Sequence, residues 1–188
     1  MQKFKNLPFA TISATGYLTS NLILTFQGII EGRTLVPSFN DIQNLDPSSW
    51  QSLAGLLWII VSLNIYLIQK YPHGAILVNA VLNLLANTAL LISGYTQEAF
   101  LVHAIGLIPT FIAVGLMFQG NKISNKKSFY TRYPVACAAM LFIIATPPLL
   151  YNAILSQDWT LTGVILMWLV SHMFFALTDQ NFKKRVFD

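Results

Sequence analysis

Every Asp, Glu, Lys and Arg in this chain lies outside six apolar stretches, which run approximately over 9–30, 52–69, 75–95, 100–118, 135–155 and 160–177. A charge at the centre of a bilayer is costly, and a helix needs roughly 20 predominantly apolar residues to cross the hydrocarbon. The pattern therefore predicts an all-α integral membrane protein, with six transmembrane helices forming a single compact bundle over residues 1–188. Composition agrees, because 55% hydrophobic and only 10% charged residues would make a soluble domain aggregate, whereas lipid solvates such a chain directly.

The side on which each basic residue falls gives the orientation. Lys3 and Lys5 precede the first stretch, Lys70 follows the second, Lys122, Lys126, Lys127 and Arg132 separate the fourth from the fifth, and Lys183, Lys184 and Arg185 follow the sixth. Only Arg33 lies on the other side. By the positive-inside rule both termini are expected in the cytoplasm, with Glu31, Asp41, Asp46, Glu98 and Asp158 facing outward. The net charge of +4 is thus a topology signal and not a nucleic-acid signal. Short loops and a single cysteine suit a bacterial inner (cytoplasmic) membrane. Cys137, alone in an apolar run, leaves neither a disulfide framework nor a cysteine-ligated metal.

Thr11, Ser13, Thr15, Thr19, Ser20, Asn21, Thr25 and Gln27 interrupt the first stretch, so a cleaved signal peptide competes with a span there. The small polar start of the run and the lack of a small-x-small site before Glu31 favour the span. In the long outward connection, Asp46 followed by Pro47 reads as an N-cap and first helical residue, which starts the second helix at Pro47. Val36, Phe39, Ile42 and Leu45 recur every three residues, as in a short amphipathic segment at the outer interface that covers an opening or shields helix ends. Trp50, Tyr95 and Trp159 mark the outer water boundary, and Tyr71, Tyr130 and Tyr133 the inner one.

No stretch contains a carboxylate, which removes the usual proton or sodium relay of coupled transporters and the paired acids of a membrane hydrolase. No catalytic residue, metal or cofactor is expected. What remains is amide. Asn79, Asn83 and Asn87 recur at four-residue spacing along one face of the third helix, Asn64 should lie level with Asn79 on the second, and Asn152, after Tyr151, lies near the outer end of the fifth. Amides both donate and accept, so this set could replace water around an uncharged solute. Equally, it could be an interhelical seam, each contact contributing on the order of 1 kcal/mol.

Pro109 in the fourth stretch and Pro147 with Pro148 in the fifth break or bend their helices, with Thr110 and Thr146 placed to satisfy freed carbonyls. His103 and His172 lie roughly 12 Å apart along the membrane normal, too far for a shared haem. His103 with Glu98, near Asp158 and Asp46, makes a candidate outer-mouth site, against the alternative of an interfacial histidine satisfied by its neighbours. Ser13, Gly16 and Ser20 form a close-packing edge on the first helix, and Ala136, Cys137, Ala138 and Ala139 thin the inner end of the fifth. Thr11, Thr15 and Thr19 should turn inward, and the first and third helices should approach one another.

In size and in the neutrality of its polar lining the chain resembles the SemiSWEET and PQ-loop transporters and the six-helix substrate-capture subunits of vitamin importers. The likeness is one of architecture alone. Pro109 is followed by Thr110 and not by the glutamine of the first group, and the first helix lacks the alanine pattern of the second, so no residues carry over. The leading expectation is a facilitator or substrate-binding subunit for an uncharged polar small solute, lined by Asn64, Asn79, Asn83, Asn87, Tyr151 and Asn152. The alternative is a non-catalytic accessory or assembly subunit of a larger membrane complex, and the third reading is an outer-face enzyme using His103. Expected partners are the lipid bilayer, an uncharged small molecule, and further copies or subunits of a complex.

Overall fold

The computed structural model describes residues 7–67, 71–93, 108, 115 and 133–187, and among these there are helices and no strands. Five long helices, α1 (Phe9–Ile30), α3 (Pro47–Ile65), α4 (Pro72–Ile92), α5 (Pro134–Leu155) and α6 (Trp159–Ala176), are joined by a short α2 (Phe39–Gln43) and followed by α7 (Gln180–Phe187). Pro47–Ile65, Val135–Leu155 and Trp159–Ala176 are long and apolar enough to cross a membrane, and Leu77–Ile92 adds a shorter apolar run. That set is compatible with an integral membrane protein. The fourth apolar stretch, 100–118, falls outside the described residues apart from Ile108 and Gly115, and so do Glu98, His103 and Pro109.

Local chemistry explains where the helices start and stop. Pro47, Pro72 and Pro134 each occupy the first turn, where a missing N–H costs nothing. Asp46 accepts from Ser49 N at 2.8 Å and Asp158 from Leu161 N at 2.9 Å, each satisfying one orphan donor. Three helices end in the same reversed turn. Arg33 N bonds Gly28 O, Asp46 N bonds Asp41 O and Asp158 N bonds Ala153 O, with the preceding residue left-handed in each: Gly32 (φ 93°), Leu45 (φ 57°) and Gln157 (φ 56°). At Leu45 and Gln157 the residue that ends one helix directly precedes the aspartate that caps the next, so both connections are as short as the geometry allows.

α1 is the centre of the packing, flanked by α3 on one side and α6 on the other, while α4 packs on α3 and α5 on α6. The expected approach of the first and third spans is thus mediated by α3. At the end of the bundle near α7, Ala14, Ala75, Ala80, Ala136, Cys137, Ala139, Phe175 and Ala176 form one buried cluster with Ile65, Tyr133 and Val135. Small residues dominate it because backbones come close there. The small edge of α1 meets α6: Ser13 Oγ donates to Ser171 O at 2.9 Å, and a Cβ on Gly16 would lie 2.2 Å from Ser171 Oγ. Thr11, Thr15 and Thr19 are exposed, contrary to expectation. α1 turns Ser13, Ala14, Ser20 and Asn21 inward instead, and Thr15 meets the Tyr66 hydroxyl at 2.9 Å on the exposed side.

α7 folds back on the same end. Phe187 stacks on Phe9, Phe182 meets Tyr133 edge-on, and the Lys183 ammonium lies 5.1 Å from the Phe9 ring centroid. Buried Asp179 joins two helix starts: Oδ1 accepts from Asn181 N (3.1 Å) and Phe182 N (3.2 Å) of α7, and Oδ2 lies 3.5 Å from Ala136 N in the first turn of α5.

Candidate functional site

A cavity of about 660 Å³ opens at the opposite end, where α1, α4 and α5 finish and α3 and α6 begin. That volume lies within the range of small-molecule sites. Residues Asn21, Thr25 and Gly28, at i, i+4 and i+7, form one stripe of α1 along its wall. α3 contributes Gln51, Ser52 and Trp58, α4 contributes Asn87 and Leu90, α5 contributes Leu149 and Asn152, and α6 contributes Ile165 and Trp168. The Trp58 and Trp168 rings meet edge-on, 5.7 Å between centroids. Apolar surface thus predominates, with amides spaced around it.

Among the described residues, the one cation at the cavity is Arg33. The reversed turn at Gly32 folds its side chain back along α1, so close that a Cβ at Gly28 would lie 2.7 Å from the guanidinium carbon. Arg33 donates to Glu31 Oε2 at 2.9 Å and to Gln51 Oε1 at 3.0 Å, and Gln27 Nε2 donates to Glu31 Oε1. The guanidinium is therefore balanced locally, and no other charged side chain lines the wall among the described residues.

Asn21 is the unusual member. It is 4% exposed, and its Nδ2 donates to Trp58 O (3.3 Å) and Ser62 Oγ (3.0 Å). The amide orientation follows from these partners: a carbonyl only accepts, and the Ser62 hydroxyl already donates to Trp58 O at 2.8 Å, so it faces Asn21 as an acceptor. Asn21 Oδ1 is consequently turned away from both, buried and without a partner among the described residues. Leaving a buried acceptor unsatisfied costs about 1–3 kcal/mol.

The structure divides the remaining predicted residues. Asn64 clamps α3 to α4, Nδ2 donating to Ala75 O and to Asn79 Oδ1, both at 2.7 Å. Asn83 and Asn87 bond back to their own helix, at Asn79 O (3.0 Å) and Asn83 O (2.8 Å). Of the stripe only Asn87 reaches the cavity, whose wall Asn152 also lines; Asn64, Asn79 and Asn83 lie elsewhere on α3 and α4. Tyr151 is 64% exposed on the outside of α5. Pro147 and Pro148 are exposed on α5 within two turns of Asn152, and the helix runs on through them. Thr146 donates to Phe142 O, one residue short of the Ile143 and Ile144 carbonyls that the two prolines free.

The acids expected near His103 have other partners, since Asp46 and Asp158 cap α3 and α6. Among the described residues no three His, Cys, Asp or Glu side chains converge as a metal site. His172 is a packed core residue between Tyr17 and Phe142, with ring centroids 4.9 Å away on both sides and Nδ1 2.7 Å from Trp168 O.

Asn21, Arg33, Trp58 and Trp168 enter the site without having been singled out for it in the sequence. The signal that could have found the first is the repeat of Asn21, Thr25 and Gly28 on one helical face. No family model, no curated protein and no solved structure matches this chain.

Proposed function

We propose that this chain is a six-span protein of a bacterial inner membrane, with both termini in the cytoplasm, that binds an uncharged small molecule and facilitates its passage. The cavity then faces outward. The observation that carries the reading is the charge-balanced cavity itself: four amides, Asn21, Gln51, Asn87 and Asn152, stand among apolar walls, and the one cation lining it among the described residues, Arg33, is held by Glu31. Such a lining compensates the lost hydration of uncharged polar groups and offers no counter-ion to an ionised ligand. No catalytic role is proposed.

The Asn64–Asn79 clamp favours a second reading for the rest of the stripe, that of a seam holding an accessory subunit together. Solute uptake separates the two. Reconstituted liposomes should reswell with selected neutral solutes, and Asn87→Leu, which removes an amide that bonds within its own helix, should reduce that uptake at equal incorporation. Permeability no higher than that of empty liposomes across the whole panel would favour the accessory subunit.

A further inference from the structure

Resting on that reading, we infer that the cavity selects a compact apolar molecule carrying an N–H or O–H donor, which it gives to Asn21 Oδ1. Three observations converge on this class. Asn21 Oδ1 is a fixed acceptor, because its amide is held the other way round by Trp58 O and Ser62 Oγ. It is buried and has no partner among the described residues, on a residue that lines the cavity, and a ligand donor that displaces the side chains covering it would satisfy it. Around it the wall is apolar, with Leu24, Leu90, Ile165 and the Trp58 and Trp168 rings, which suits a flat apolar body better than a polyol.

The donor requirement is the discriminating part. A ligand of the same shape without the donor buries the same apolar surface but leaves Oδ1 unsatisfied, so it should bind more weakly by about tenfold or more. Indole and 1-methylindole are such a pair. Their affinities would be measured by titration calorimetry on the protein in nanodiscs, with empty nanodiscs as the reference. Indole should bind at least about tenfold more tightly. The preference should vanish in Asn21→Leu and persist in Ser62→Ala, which keeps Oδ1. Should Asn21→Leu fail to fold, the ratio in the unaltered protein decides. Equal binding of the two probes would overturn the inference and leave the cavity reading standing. Binding of neither probe would also overturn the inference, and if no neutral solute of the reswelling panel passed either, the cavity reading would fall with it.

Discussion

Replacing Gly16 by Ala tests the packing on which the bundle depends. The new Cβ would lie 2.2 Å from Ser171 Oγ but 3.4 Å from Ser171 Cβ, so the conflict is with one hydroxyl alone. That hydroxyl is held by Met167 O at 2.7 Å, and Ser171 is 2% exposed. Rotating it away breaks a hydrogen bond of about 1 kcal/mol and forces it into a filled interface, where overpacking costs about 1–3 kcal/mol. The alanine regains up to about 1 kcal/mol of helix propensity. Gly16→Ala should therefore destabilise the protein by about 1–3 kcal/mol, read as unfolding in mixed micelles. In a Ser171→Ala background the clash disappears, and the same change should be neutral or mildly stabilising. The double-mutant cycle should show a coupling of about 1 kcal/mol or more. Equal effects of Gly16→Ala in both backgrounds would refute the α1–α6 contact.

Asn64→Leu removes the clamp between α3 and α4 and should cost about 1 kcal/mol in the same unfolding assay, with indole binding at the far cavity unchanged. Asp179→Ala strips caps from two helix starts and should cost about 1–2 kcal/mol; hydrogen exchange should then quicken at Phe182 and at Ala136 together, whereas a change confined to α7 would exclude the bridge to α5. Hydrogen bonds from Ser48 and then Ser49 hold the Asp46 carboxyl below its ordinary range. Because the folded value is the lower one, the ionised cap stabilises the start of α3 above the unfolded value, near pH 4, and that contribution is lost as pH falls through the folded value. A carboxyl-carbon NMR titration should place the Asp46 midpoint below that of an unstructured aspartate; a midpoint at or above it would contradict the cap.

The helices were legible because their ends are marked by covalent chemistry. The first, fifth and sixth stretches match α1, α5 and α6 within about a residue, and Asp46–Pro47 marks the start of α3. The close-packing edge at Ser13, Gly16 and Ser20 was legible for the same reason, since small residues at three- and four-residue spacing leave one face thin. The role of each asparagine was not. A helix places Asn79, Asn83 and Asn87 on one face, but whether an amide bonds a neighbour, its own backbone or a cavity depends on what lies opposite, which periodicity does not encode. Asn21 read as a flaw in the hydropathy of the first span, although burial against Trp58 and Ser62 is what makes it distinctive. Arg33 read as an exception to the charge asymmetry, and only the turn at Gly32 brings it to the cavity.

The central claim, a hydrated cavity reached from the outer side, is tested most directly by thiol labelling. Cys137 is the only cysteine and is buried, so a Cys137→Ala background accepts single cysteines at chosen positions. Asn87 and Leu85 lie on different faces of α4, Asn87 on the cavity and Leu85 half exposed on the outside of the bundle. In oriented vesicles, Asn87→Cys should react with a charged, membrane-impermeant thiol reagent from the outer side, and Leu85→Cys, on the apolar outside of the bundle, should not. Equal reaction at both positions, or reaction of Asn87→Cys from the cytoplasmic side alone, would contradict the account.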